Sequence, residues 1–527
     1  MRLTPLLACA ALLAGVLAAP PVNAAHAATT RYEAETSPAV CTGTIDSNHA
    51  GYSGSGFCNA TNAVGAHAQF TVTASTAGTA TLGIRFANGT TARPTDLVVN
   101  GATAQALSFE GTGAWSTWAT KTVTVSLNAG ANTVRLTPTA ATGLPNLDHL
   151  DVETGDQPPP TTNTLYVATT GDDTAPGTQA SPLRTIQRAV DLAQPGYTIV
   201  IRGGTYAPST NIQILKNGTS SQPITMRNHD GEKVILDGEN MPYTPGAVGS
   251  SIPRPERGAV HIEGDWWRLS GLEIIHGPYG VFGLDVNNTV FDRLVTRDNY
   301  ESGLHLQGAS GNNQIVNLDA YGNRDPRKNG ESADGLAIKE GSGSGNVVRG
   351  ARLWNNSDDG LDFWMFLSPI TVESSVAWGN GFNRWNLPDY TGDGNGFKLG
   401  GGDPDPAADH VIRNSIAFDN AVGGFIDNGN PGRFTVDRNT AWRNGGTGFD
   451  FADSDSTLTK NLSVANATQV SLGSSSSGSG NSWNLGGTWT FVSTDASTIT
   501  GPRAANGSIP SSVFLRPSNG ADVGARI

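Results

Sequence analysis

Four aspartates and one lysine near the middle of this 527-residue chain have the types and the spacing to do chemistry together. Asp334 lies in Ala333-Asp334-Gly335-Leu336-Ala337-Ile338. Asp358, Asp359 and Asp362 lie in Ser357-Asp358-Asp359-Gly360-Leu361-Asp362-Phe363, and Lys398 in Gly394-Asn395-Gly396-Phe397-Lys398-Leu399. Each segment repeats Gly-(Leu/Phe)-x-apolar, so equivalent places in the copies can be aligned. Apolar residues at the first and third places after Gly turn inward in a strand, and side-chain alternation then turns the second place outward. That outward column reads His305, Ala337, Asp362, Lys398, Ile426, Asp450, and the place before Gly reads Ser302, Asp334, Asp359, Asn395, Gly423, Thr447. If the copies stack roughly 4.8 Å apart, Asp334, Asp359 and Asp362 converge, with Asp358 beside them and Lys398 one turn further on. Carboxylates that close repel one another unless a cation sits among them. An all-oxygen set suits Ca2+, which takes about six to eight oxygens.

The elements that position these residues follow from the repeat. The Gly recurs at 303, 335, 360, 396, 424 and 448, and an Asn at 299, 323, 356, 380, 420 and 444, usually two residues after an aromatic (Tyr321, Trp354, Trp378, Phe418, Trp442). The base period is about 24 residues, the signature of a solenoid whose units bury their apolar faces only by stacking. Short β-branched or aromatic runs broken by Gly and Asn predict a right-handed parallel β-helix, with the Asn column forming an inward ladder at one bend. In two turns the Asn-to-Gly spacing lengthens, from Arg324 to Asp334 and from Gly381 to Asn395. Both insertions fall on the side of the acidic patch, where they would wall a groove.

The strings Ser-Ala-Asp-Gly-Leu-Ala-Ile-Lys, Asn-Asn-Ser-Asp-Asp-Gly-Leu-Asp and Gly-Asn-Gly-Phe-Lys-Leu-Gly-Gly resemble those of polysaccharide lyase family 9, the pectate lyase-like β-helix enzymes, from about Thr164 to the C-terminus. The resemblance implies that Asp334, Asp358, Asp359 and Asp362 are calcium ligands and Lys398 the Brønsted base in β-elimination on a 4-linked uronate. Ca2+ there would neutralise the uronate carboxylate, and both the ion and burial would lower the Lys398 pKa while the aspartates oppose them. The implied substrate is acidic plant cell-wall polysaccharide, with pectate or polygalacturonate ahead of rhamnogalacturonan. Arg327, Lys328, Arg384 and Trp385, in the two insertions, are candidates for holding neighbouring sugars, or else solvated loop residues. Other readings of the acidic patch stay open. Asp-Gly pairs are also turn chemistry, and Asp362 with Lys398 could form a plain surface salt bridge. A β-helix hydrolase would use two carboxylates and no lysine, and a non-catalytic glycan-binding solenoid would need neither.

The N-terminal part is organised differently. Residues 1–27 read as a secretory signal, with Leu6 to Ala19 as a short apolar core and Ala25-His26-Ala27 as a small-residue cleavage site. Residues 28–154 alternate apolar and polar in short runs, the pattern of a β-sandwich. Cys41 and Cys58 are expected to form one disulfide in an oxidising compartment. Tyr32-Glu33-Ala34-Glu35, Gly51-Tyr52-Ser53-Gly54, Ala87-Asn88-Gly89, Trp115-Ser116-Thr117-Trp118 and Asn146-Leu147-Asp148-His149-Leu150-Asp151 resemble a family 35 carbohydrate-binding module of the jelly-roll type. That resemblance implies a structural calcium on Glu33, Glu35 and Asp151 and sugar contacts from Tyr52, Asn88, Trp115 and Asn146. Residues 155–163 carry Pro158-Pro159-Pro160, a semi-rigid spacer, and 164–527 form the β-helix domain. There, Ser181-Pro182 should open an amphipathic helix bearing Ile186, Ala189, Val190 and Ala193, which caps the open end of the stack. The Ser/Gly run 473–480 reads as a loop, and the remainder would pack along the outside.

With 15% charged residues and a net charge of −13, the chain lacks the basic face that nucleic acid demands. The same charge makes a cation at the site a requirement for an anionic substrate. The expectation is a secreted, extracellular monomer with no membrane or nucleic-acid partner.

Overall fold

The computed structural model describes residues 29–74, 78–128, 130–154 and 163–527. Residues 1–28, which include the expected signal, and residues 155–162 of the expected spacer lie outside them. The chain divides into two compact units, Met1–Pro159 and Pro160–Ile527.

The first unit is a sandwich of a six-stranded and a five-stranded sheet whose pairings are antiparallel. Its core is the alternation read from the sequence, with Phe70, Val72, Leu82, Ile84, Val134 and Leu136 all buried. Cys41, in the five-stranded sheet, is bonded to Cys58, in the six-stranded one, so the disulfide ties the two sheets together. Its loop of 17 residues corresponds to about 3 kcal/mol in the chain-entropy account.

The second unit is a right-handed parallel β-helix of three sheets with 12, 10 and 10 strands. Its interior is one continuous apolar cluster running from Leu165 to Leu458. Inward phenylalanines stack turn on turn, Phe397 on Phe425 at 4.8 Å and Phe425 on Phe449 at 5.0 Å, each pair adding about 0.5–1.5 kcal/mol beyond its burial.

The Gly column has a steric cause. A Cβ on Gly335, Gly360 or Gly396 would lie 2.6–2.8 Å from the carbonyl oxygen of the equivalent Gly one turn on, so a side chain there would push the turns apart. Four residues earlier in most turns, the Asn column is a ladder. Asn299, Asn323, Asn356, Asn380, Asn420 and Asn444 each pass an amide hydrogen bond of 2.8–3.0 Å to the next, ending at Asn466. The other two bends carry ladders that the spacing did not announce. One runs through Ser375, Ser415, Asn439, Asn461 and Asn481, and the other links Asn313 to Asn346. Together they satisfy backbone groups that the tight bends would otherwise bury unpaired.

The capping helix spans Ile186–Leu192, later than Ser181-Pro182 suggested, because Thr185 is its N-cap and accepts from the Arg188 amide. It packs on the first coil, burying Ile186, Ala189 and Val190. The Ser/Gly run is not all loop: Ser477–Ser479 is the last strand of the 12-stranded sheet, since its backbone continues the ladder whatever the side chains. The C-terminal segment lies along the outside as expected. Ile499, Phe514, Leu515 and Ala525 pack on Phe418 and Trp442, and Arg503 reaches Asp319 at 2.6 Å.

Candidate functional site

The outward column is realised strand for strand. His305 pairs with Ala337, Ala337 with Asp362, Asp362 with Lys398, Lys398 with Ile426 and Ile426 with Asp450. These side chains leave the coil, yet Asp362 is only 1% exposed and Lys398 only 8%, because the insertions cover them. The two predicted insertions are joined by Thr391 N, which donates to Asn329 O, and the Tyr390 hydroxyl ties the second of them to the site-bearing coil by donating to the Ser357 carbonyl. This wall turns a surface patch into a buried, polar centre.

Asp334, Asp358 and Asp359 each offer an oxygen within 4.8 Å of the others, and all three are buried. Their remaining lone pairs are partly used. Asp358 Oδ1 accepts from the Asp393 amide at 2.6 Å, and Asp359 Oδ1 accepts from both the amide and the side chain of Asn395. Asp359 Oδ2 is buried with no hydrogen-bond donor. Asp362 stands beside this trio, its Oδ1 held by the Trp364 amide and its Oδ2 2.6 Å from Lys339 Nζ. Lys339 also lies 2.8 Å from Asp334 Oδ2, so it bridges the two carboxylates. Lys398 Nζ donates to Asp393 Oδ2 at 2.6 Å and lies 3.4 Å from Asp359 and 3.6 Å from Asp362.

Five carboxylates therefore face two ammonium groups. Burial and the like charges of Asp362 and Asp359 push Asp334 up to about 8, against the pull of Lys339. Burial with Asp362 and Asp393 pushes Asp359 up to about 6, and burial with Asp359 and Asp334 raises Asp358 well above the usual range. At Asp362 burial acts the same way, but Lys339 and Lys398 outweigh it and hold the carboxyl low. Burial alone would lower the Lys398 pKa. Asp362, Asp359, Asp358 and Asp393 outweigh burial and hold it above the ordinary lysine value. The centre is thus short of positive charge. An all-oxygen trio, a buried carboxylate oxygen with no hydrogen-bond donor and carboxyls pushed toward neutrality are what a hard divalent cation would relieve.

Lys339 and Asp393 were not singled out from sequence. Lys339 was legible, since it lies two residues beyond Ala337 on the same face of the strand Leu336–Gly341, whereas Asp393 sits in an aperiodic insertion. The remaining candidates separate. Arg327 is 2% exposed and donates to Glu301 at 2.9 Å and to the Ser250 carbonyl, so it anchors its insertion and does not reach into a groove. Lys328 is exposed and donates to Ser332 Oγ. Arg384 lies over the exposed Phe382 ring, and Trp385 is half-buried beside it.

In the first unit, Glu33 gathers with Asp148 and His149. Ser53 Oγ donates to Glu33 and Asp148, and Arg85 lies 3.0 Å from Asp148. Glu35 accepts from the Ser55 amide and keeps a buried, unpartnered Oε2. Asp151 instead pairs with Arg31 at 2.8 Å. The acid beside Glu33 is therefore Asp148, because the pairing register shifts between Leu147 and Leu150 and turns Asp148 inward. Asn88 is fully buried and spends its amide on the Thr91 and Phe109 carbonyls, which makes it a loop brace. Trp115 packs over Gly89 with Arg93 above its ring. Tyr52 is half-buried near Phe57, and Asn146 is 5% exposed.

Comparison with known proteins bears on both units. Residues 165–488 match the family described as Pel9A-like, right handed beta helix region. Residues 67–152 match a family described as CBM13-like, from the CBM13 domain of alpha-galactosidase. Pectate lyase PEL9 of Emericella nidulans is 50% identical over 384 residues, covering 68% of this chain and 94% of that one. The crystal structure of pectate lyase Pel9A superposes with a TM-score of 0.60 at 30% identity, over 67% of this chain and 89% of that chain. A rhamnogalacturonan lyase superposes with a TM-score of 0.60 at 25% identity, over 68% and 99%.

Proposed function

The chain belongs to the Pel9A-like right-handed β-helix family and is a polysaccharide lyase, and from that premise we propose that it is a secreted, calcium-dependent pectate lyase with Lys398 as its base. The observation that carries this reading is the convergence of Asp334, Asp358 and Asp359 with Lys398 Nζ, 3.4 Å from Asp359, on one buried face. Asp334, Asp358, Asp359 and, from the adjoining strand position, Asp362 would hold Ca2+. When bound, the ion supplies positive charge that neutralises the uronate carboxyl group and stabilises the charge developing on it during elimination.

Lys398 Nζ takes the C5 proton, the C5–H electron pair forms the C4=C5 double bond, and the C4–O bond breaks with its pair going to the leaving sugar's oxygen, which takes up a proton from solvent. For this the lysine must be neutral. Its proton is retained by carboxylates, so engaging those carboxylates elsewhere leaves burial, which lowers its pKa, as the dominant influence. Asp393 and Asp362, beside Nζ, would orient it for the transfer and stabilise the ammonium that forms. Lys339 keeps Asp334 and Asp362 at a fixed separation. The wall of insertions excludes water, which strengthens each of these interactions.

Pectate is favoured over rhamnogalacturonan by the 50% identity with a pectate lyase, and the likeness to a rhamnogalacturonan lyase keeps the second polymer as the alternative. The first unit would retain the enzyme on cell-wall glycan, and residues 1–27 would direct export. The test is incubation with polygalacturonate and separately with rhamnogalacturonan, with Ca2+ or with chelator, followed by ultraviolet absorbance of unsaturated products. Calcium-dependent absorbance on polygalacturonate is expected. Reducing ends without absorbance would mean hydrolysis and overturn the reading.

A further inference from the structure

The outer face of the site-bearing sheet is covered on one side of the catalytic centre and open on the other. On the N-terminal side the outward column continues from His305 to Phe282 and His261, which are 8%, 0% and 1% exposed. On the C-terminal side Ile426, Asp450 and Ser471 occupy the same column and are half-exposed. The cover is a third insertion at the same bend, residues 238–259, between the strands Val234–Asp237 and Val260–Ile262.

This cover is packed and pinned. Ile252 joins Tyr279, Phe282 and Leu284 in a small apolar cluster. Arg257 lies over the Phe282 ring and donates to Gln307 Oε1. Gln307 is the next outward residue on the His305 strand, so that bond carries the cover across the sheet. Arg327 links it to the neighbouring insertion, donating to Ser250 O while its own carbonyl accepts from Gly249 N. A packed layer of this kind stands on the order of 10 Å above a sheet. It begins two turns from Asp362.

We infer that residues 238–259 close the substrate groove at its N-terminal end, so that the enzyme engages a uronate chain from one terminus and releases short fragments of uniform length. A chain lying across Asp362 and Lys398 has room to continue only over Ile426 and Asp450. The inference rests on the lyase reading and specifies the polymer end as part of what the site recognises.

The test uses the intact protein with Ca2+ on long polygalacturonate and on end-labelled hexagalacturonate, following product sizes by chromatography alongside unsaturated absorbance and viscosity. The expected result is one short product from the earliest times, with viscosity falling slowly relative to absorbance. The hexamer should be cut at a single bond at a fixed distance from one end. A ladder of intermediate lengths with early loss of viscosity would overturn the closed groove while leaving the lyase reading intact. No unsaturated product from polygalacturonate or rhamnogalacturonan would remove the lyase reading and this inference with it. The double variant Ile252→Ser, Arg257→Ala should broaden the product sizes. An unchanged pattern in a variant of native circular dichroism would also overturn the inference, and if that variant does not fold, the wild-type pattern decides.

Discussion

Replacing Asn380 with Ala tests whether the Asn ladder holds the turns that carry the site. Asn380 is fully buried in mid-ladder. Its Nδ2 donates to Asn420 Oδ1 at 2.9 Å and to Leu353 O at 3.1 Å, and its Oδ1 accepts from the amide and the side chain of Asn356 at 3.1 and 3.0 Å. After truncation, Asn420 Oδ1 still accepts from the residue 380 amide, and Asn356 Nδ2 still donates to Ala320 O. The Leu353 carbonyl keeps its place in the strand ladder opposite Ala377 and Trp378, so the group that loses this partner without a replacement is the Asn356 amide. At about 1–3 kcal/mol for a buried polar group left unpaired, the expected loss is about 1–3 kcal/mol, read as the shift in denaturant midpoint at constant slope. The same change at Asn466, the ladder's last member and 6% exposed, should cost about half as much because water can reach the broken end. A loss below about 1 kcal/mol at Asn380, or equal losses at both positions, would refute the ladder as a structural spine.

Lys398→Ala should abolish elimination, by at least about a thousandfold, with unchanged circular dichroism. Its side chain lies outside the coil core, and a variant retaining a tenth of the activity would remove it from the base role. Asp359→Asn should weaken calcium binding in a calorimetric titration and recover activity partly at raised calcium. Asp450→Asn, in the same outward column two turns beyond Lys398, should leave calcium affinity unchanged. Asp325, buried in the 324–334 insertion beside Glu301, is pushed up to about 7 by burial and that neighbour. A carboxyl raised in the folded state contributes stability that is present below its unfolded pKa and lost as pH rises through about 7. Asp325→Asn should therefore raise the melting temperature at pH 8 relative to wild type and leave it nearly unchanged at pH 4, as differential scanning calorimetry would show.

Sequence gave access to whatever is periodic. The Gly and Asn columns are spaced by the coil itself, so strand register, the outward column and the meeting of Asp334, Asp359 and Lys398 could be read by aligning copies. The C-terminal segment and the Cys41–Cys58 bond were legible from composition and position. What escaped was aperiodic. Asp393 and the 238–259 cover lie in insertions whose path is set by packing, not by pattern. Asp148 faces inward because of a register shift that alternation cannot foresee. Arg327 appeared solvent-facing because a cationic loop residue usually is, and only the structure shows Glu301 waiting for it. The charge state of Lys398 was also undetermined in advance, since burial and four carboxylates act on it with opposite signs.

The most direct measurement is anomalous diffraction from crystals of Lys398→Ala grown with Ca2+ and a short oligogalacturonate. The predicted result is an anomalous peak about 2.3–2.6 Å from carboxylate oxygens of Asp334, Asp358 and Asp359, with a uronate carboxyl group as a further ligand and C5 facing the space left by the lysine. Bound oligosaccharide with no peak at those three aspartates, or with C5 turned away from position 398, would contradict the assignment of metal site and base.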